Sequence, residues 1–149
     1  MSVVDDLRDQ ISAGRIIFDN NSARLRRELL GENAGTVKVK PSLQRLALEL
    51  SRVSRIRISD ILRPGTASHH ARGRAFDLGN EEIAEALLPH ISTDEMVEAF
   101  NIDEIIFDAG VAGLEDRNEW NYDRGLKHNF SNGTLATHRN HIHFAVKAG

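Results

Sequence analysis

The sequence predicts an α+β domain in which helices pack on a small, mostly antiparallel sheet. Three observations carry that prediction. Apolar residues recur at helical spacing through the first third of the chain. The stretches RIRIS (55–59) and HIHFAV (141–146) alternate strictly, as half-buried strands do. Hydrophobic residues make up 40% of the 149 and charged residues 28%, the balance of one globular core. We therefore read residues 1–149 as a single domain. About the first 50 form a helical N-terminal part, and 54–149 form the core.

The elements follow in order. Val4, Leu7 and Ile11 share a face of the first helix. IIFD (16–19) is a short strand or a buried link. A second helix runs from about Ser22 to Leu30 and stops at Gly31. A third begins at Pro41, a favoured first helical position, and lines up Leu43, Leu46, Leu50 and Val53. All three apolar stripes are core packing. RIRIS is broken by Pro64 and Gly65, and AFDLG (75–79) is a short strand. Asn80 is expected to cap a helix carrying Ile83, Leu87 and Leu88. Ser92 and Glu95 have capping-box spacing for the next helix, which turns Met96, Val97 and Phe100 inward. EIIF (104–107) reads as a buried strand. Residues 108–137 show no period, hold four glycines and the only Trp and Tyr, and read as one long functional loop.

Composition excludes several functions. The net charge of −3 leaves no electrostatic footprint for nucleic acid. No cysteine is present, so any metal must be held by His, Asp or Glu. No run approaches the roughly 20 apolar residues of a membrane span. The start, MSVVDDLRDQISAG, is acidic and amphipathic and lacks the marks of a signal peptide. The expectation is synthesis in the cytoplasm.

Chemistry concentrates in two stretches. In HIHFAV, Ile142, Phe144 and Val146 point one way, and His141 and His143 share the other face. In SHHARGRAFDLG (68–79), His70 and Asp77 are good ligands for a borderline metal. Gly73 lets the chain turn and approach closely, and Ala75 keeps the space beside it small. His70, Asp77 and His143 together make three N/O donors, and three protein ligands with one open position is the catalytic zinc pattern.

Ser68, His70, Gly73, Ala75 and Asp77 match S-x-H-x-x-G-x-A-x-D at all five fixed positions, and H-x-H follows downstream. This signature resembles that of the zinc D-Ala-D-Ala and L-Ala-D-Glu carboxypeptidases, within a wider group that includes lysostaphin-type endopeptidases and the hedgehog domain. The resemblance spans roughly Ile56 to Val146. It implies a hedgehog/D-Ala-D-Ala peptidase-like fold, Zn2+ as cofactor with His70, Asp77 and His143 as ligands, and a peptidoglycan peptide as substrate. It further implies that Arg63 orients the substrate carboxylate or carbonyl and that Ser68 hydrogen-bonds near the site.

One position departs from the carboxypeptidase pattern. Asn140 stands where a catalytic Glu is usual, three residues before the last ligand. His141 then becomes the expected general acid/base, as in the endopeptidase branches, with Glu119 of the long loop as a weaker substitute. The function expected is a zinc metallopeptidase acting on cell-wall cross-links or stem peptides. It would be carried to the wall by a holin, a phage tail or an injection apparatus, with neither nucleic acid nor membrane as partner. The alternative is an inactive zinc-binding recognition module on the same scaffold. His69 reads as exposed or as a neighbour supporting the ligands, His90 as a helix-end charge partner, and His128 and His138 as ordinary loop histidines rather than cleft-lining ones. Trp120 and Tyr122 read as a packing anchor, and Arg24, Arg26 and Arg27 as a solvated face.

Overall fold

A computed structural model describes residues 2–63, 65–114 and 117–148. The expected break at Pro64 lies outside them. Helix α1 (Val3–Ser12) opens with a capping box between Ser2 and Asp5 and buries Leu7. A short strand β1 (Ile16–Phe18) follows, settling IIFD as a strand. Helix α2 (Ala23–Leu30) is capped by Ser22 and closed by Gly31 in the left-handed conformation. Helix α3 (Pro41–Val53) buries Leu43, Leu46 and Leu50. Then come β2 (Ile56–Asp60), β3 (Ala75–Leu78), α4 (Ala84–Ile91), α5 (Asp94–Ala99) and β4 (Ile102–Ile106). The chain ends with β5 (Tyr122–Asp123), β6 (Leu126–Lys127), α6 (Asn132–Ala136) and β7 (Ile142–Val146).

The architecture is α+β, but the sheet is neither small nor purely antiparallel. Its seven strands run in the order β1-β2-β3-β7-β4-β5-β6. The pair β1–β2 is parallel, which makes the sheet mixed. Parallel neighbours need a crossover, here supplied by α2 and α3. Ile16, Ile56, Ile58, Phe76, Leu78, Phe144 and Val146 are buried together with Leu43, Leu46 and Leu50 of α3 in one core. The Phe76 and Phe144 rings lie 5.8 Å apart across β3 and β7.

Two local expectations need correction. Asn80 stands at the N-cap position of the 3-10 turn Glu81–Ile83 that leads into α4, but its side chain makes no cap bond. Its Oδ1 accepts from the Arg57 N–H at 2.9 Å and its Nδ2 donates to the Arg55 carbonyl at 2.9 Å, so its side chain extends the β2–β3 pairing. Ser92 forms no capping box either: Thr93 caps α5, accepting from the Met96 N–H, while the Ser92 hydroxyl donates to the Trp120 carbonyl. Neighbouring hydroxyl residues compete for one cap position, and spacing alone does not choose between them.

The 108–137 loop is partly ordered into secondary structure. Arg124 and Gly125 both take positive φ (54° and 75°) and join β5 to β6 in a two-residue hairpin. Tyr122 is fully buried and its hydroxyl donates to Asp94 at 2.9 Å, which makes it the packing anchor expected. Arg24, Arg26 and Arg27 are exposed, as expected of a solvated face, and Arg24 also pairs with the buried Glu28, whose other oxygen accepts from the Leu62 N–H.

Two irregularities in the ladders position the site. The register slips by one residue between Ile58 and Asp60 of β2, and again between Ile102 and Glu104 of β4. They flank the central β3–β7 pair on either side. Such bulges bend a strand and re-aim its side chains.

Candidate metal centre

The site begins with register. Asp77 of β3 lies directly opposite His143 of β7. Residues opposite one another on antiparallel strands present their side chains to the same face. The His143 Nδ1 is 3.0 Å from the Asp77 Oδ1. His70 comes from a short 3-10 turn (His69–Arg72) that Gly73 ends at φ 70°. Its Nε2 is 3.4 Å from the same Asp77 oxygen. One donor atom from each of His70, Asp77 and His143 lies within 4.8 Å of the other two, and all three residues are buried. Among the described residues no other group of histidines and carboxylates gathers in this way.

Each histidine has its remaining ring nitrogen fixed. The His70 Nδ1 donates to the Ile61 carbonyl at 2.7 Å, which leaves Nε2 toward Asp77. The His143 Nε2 donates to Glu104 Oε1 at 2.9 Å. A metal-ligating histidine characteristically gives its second N–H to a carbonyl or carboxylate, which fixes tautomer and ring orientation. The donor set therefore suits a divalent cation of borderline softness, through the His70 Nε2, an Asp77 oxygen and the His143 Nδ1.

The signature glycine also has a packing reason. A Cβ on Gly73 would sit 2.3 Å from the Lys38 carbonyl oxygen. The Gly73 carbonyl in turn accepts from the Lys40 N–H at 2.8 Å. The extended segment before α3 thus lies directly on the turn that carries His70.

Charge in the site is balanced. Burial pushes the Asp77 carboxyl up, but hydrogen bonds from His143 and His70 outweigh it and hold the group well below the usual carboxylate range. Burial pulls the His143 imidazole down, yet its bonds to Asp77 and Glu104 win and raise it to about 9. Glu104 is lowered in the same way: burial raises it, and its bond to His143 lowers it further. A cation bound through the His143 Nδ1 would compete with a proton there.

The other expected residues fall around this centre. The Arg63 Nε donates to Asp60 Oδ2 at 3.0 Å, and an Nη lies 3.6 Å from Asp77 Oδ2, with the side chain half exposed. Asp60 and Asp77 face each other across β2 and β3, and Arg63 offsets that like-charge pairing. Ser68 heads the 3-10 turn, and its hydroxyl shares a 2.8 Å hydrogen bond with Thr66. The His141 Nδ1 donates to Asn140 Oδ1 at 2.9 Å, and burial holds its imidazole below the usual range. Asn140 therefore contacts the expected general base rather than replacing the missing carboxylate.

Two residues missed in the sequence are brought in by the fold. Glu104, half-buried in an apolar-looking EIIF strand, is the carboxylate that reaches His143. Glu119, weighed for such a role, is exposed. His138, read as an ordinary loop histidine, has its ring centroid 5.0 Å from that of His141 and 6.0 Å from that of His143. Its Nδ1 donates to the Thr134 carbonyl at 2.7 Å at the end of α6. No spacing rule links residues 104 and 138 to 143; the β4–β7 register and the α6 turn do. His90, by contrast, lies in the last turn of α4 and bonds Glu49 of α3 at 2.8 Å.

No protein-family model, no curated protein and no solved structure matches this chain. Among the described residues no helix is long and apolar enough to cross a membrane.

Proposed function

We propose that this protein is a zinc-dependent peptidase acting on the peptides of bacterial peptidoglycan, on a scaffold like that of the D-Ala-D-Ala peptidases and the hedgehog domain. The observation that carries the reading is the buried His70–Asp77–His143 group, with its donor atoms within 4.8 Å of one another and both outer ring nitrogens fixed. The five-position signature around it supplies the substrate class by resemblance. A zinc ion held there would supply Lewis-acid polarisation of a carbonyl and a water of lowered pKa.

The chain's own residues take the remaining roles. His141, at the mouth of β7, accepts a proton from the attacking water and returns one to the leaving amine. Asn140 holds its Nδ1, which leaves Nε2 as the atom that moves the proton. Arg63 stands beside Asp77 with half its surface open; Asp60 takes its Nε and one Nη, and the other Nη can orient a carbonyl or carboxylate of the substrate. Ser68 and Thr66 tie the turn between Arg63 and His70.

The test is metal content by inductively coupled plasma mass spectrometry, wild type beside His70→Ala, followed by digestion of purified muropeptides. About one zinc per chain, lost in the variant, is the expected outcome. A wild type that takes up no zinc when it is supplied would sink the reading. A second reading, a zinc-binding recognition module, is favoured by the lack of a carboxylate at Asn140. Zinc bound at one per chain, with muropeptides bound but never cut, would select it.

A further inference from the structure

His69 packs between two consecutive residues of one strand, hydrogen-bonded to the first and in close approach to the second. Its Nε2 is 2.7 Å from Asp103 Oδ2, and its Nδ1 is 3.3 Å from Glu104 Oε1. Neighbours on a regular strand point to opposite faces. Here the one-residue slip between Ile102 and Glu104 breaks that rule. Ile102 stays in the apolar core opposite Val146, while both carboxylates reach the histidine side. Asp103 is tied further by Arg74 at 3.4 Å, and the Arg74 Nε donates to the Val146 carbonyl at 3.0 Å. Arg74, Asp103, His69, Glu104 and His143 therefore follow one another in contact, with the His69–Glu104 step a 3.3 Å approach and the others hydrogen bonds. His69 is only a quarter exposed, so water does not compete freely for these bonds.

We propose that Glu104 is a positioning residue for His143, and that His69, clamped by Asp103 across the β4 bulge, holds Glu104 in place. The assignment rests on the zinc reading above and deepens it. Glu104 accepts from the His143 Nε2 and so commits Nδ1 to the space shared with His70 and Asp77. A free imidazole would present either nitrogen and pay rotamer entropy to choose. His69 is next to His70 in sequence, so the turn that delivers one ligand also braces the partner of another.

The experiment is a double-mutant cycle on the full-length protein. Zinc affinity is measured by chelator competition for wild type, Glu104→Ala, His69→Ala and the double variant, with Glu104→Gln as the conservative control and thermal melts to confirm folding. Glu104→Ala is expected to weaken zinc binding about 10–100-fold. Glu104→Gln keeps an acceptor oxygen and should recover most of that loss. His69→Ala should weaken binding less, and the double variant should bind no worse than Glu104→Ala alone, because both act through one bond. Full additivity would overturn the role of His69, and unchanged affinity in Glu104→Ala would overturn that of Glu104. A second readout needs no metal. In protein labelled with 15N-histidine, the His143 Nε2 proton should be protected from solvent exchange in the wild type and lose that protection in both alanine variants. A wild type that binds no zinc but shows this protection refutes the peptidase reading and leaves the clamp standing; no protection and no metal dependence refute the clamp itself.

Discussion

His141 is the residue on which the enzyme and recognition readings divide. It sits two residues before a ligand but makes no contact with Asp77, and its Nδ1 is taken by Asn140. Replacing it should leave the donor group whole. His141→Ala is therefore expected to keep about one zinc per chain while muropeptide turnover falls roughly 100- to 10,000-fold, the usual worth of a positioned acid/base. Parallel metal analysis and digestion rates check this. A variant that loses its zinc would make His141 a ligand instead, and one that keeps full activity would move the proton transfer to another group. Both H-x-H histidines and the SHHARGRAFDLG residues were legible as a set because strand alternation and fixed spacing are local properties. Glu104 and His138 were not, since each meets the site only through long-range pairing.

At the scale of elements, Gly73 does two things at once. It holds φ 70° at the end of the turn that carries His70, and its missing Cβ leaves room for the Lys38 carbonyl. A side chain there meets backbone, which cannot swing aside. Gly73→Ala should cost about 2 kcal/mol or more, above the ordinary left-handed penalty, through backbone displacement. A chemical denaturation curve would measure it, and a cost within experimental error would show that the 38–40 segment is free to move. The motif glycine was readable as a close approach, but the partner was not, because Lys38 lies 35 positions upstream in a segment without periodicity. Element boundaries were missed for a related reason. The β5–β6 hairpin uses Arg-Gly where Asn-Gly or Asp-Gly is the common signal, and strands of two residues carry no alternation to read.

Over the whole molecule, the segment after β4 is secured by one carboxylate. Asp108 is nearly fully covered and accepts a two-pronged bond from Arg117 at 2.8 and 2.6 Å, with Arg139 at 3.6 Å. Its backbone N–H donates to the His138 carbonyl, which ties this segment to the one leading into β7. The bond from Arg117 holds the Asp108 carboxyl below its ordinary 3.8 despite the opposing effect of burial. A group whose folded pKa is depressed adds stability above its unfolded pKa and loses it as pH falls toward the folded one. Thermal melts of metal-free protein should therefore show stability declining below about pH 4, and Asp108→Asn should be less stable near neutrality with a flatter acid limb. An unchanged acid limb would mean that the Arg117 bond contributes nothing to folding.

The sequence by itself determined the α+β class, the helix stripes and the strands that bear Asp77 and His143, and it nominated His70, Asp77 and His143 as candidate donors. Each of these rests on periodicity, capping chemistry or spacing that acts within a few residues. Only the tertiary structure decided that the sheet has seven strands with a parallel edge, that Asp77 faces His143, and that two bulges turn Asp60 and Glu104 toward them. Register and crossover are set by which apolar faces bury together across the whole chain, and a one-residue slip moves every later side chain to the other face. That choice is made by the core as a unit, so no local stretch of the sequence states it.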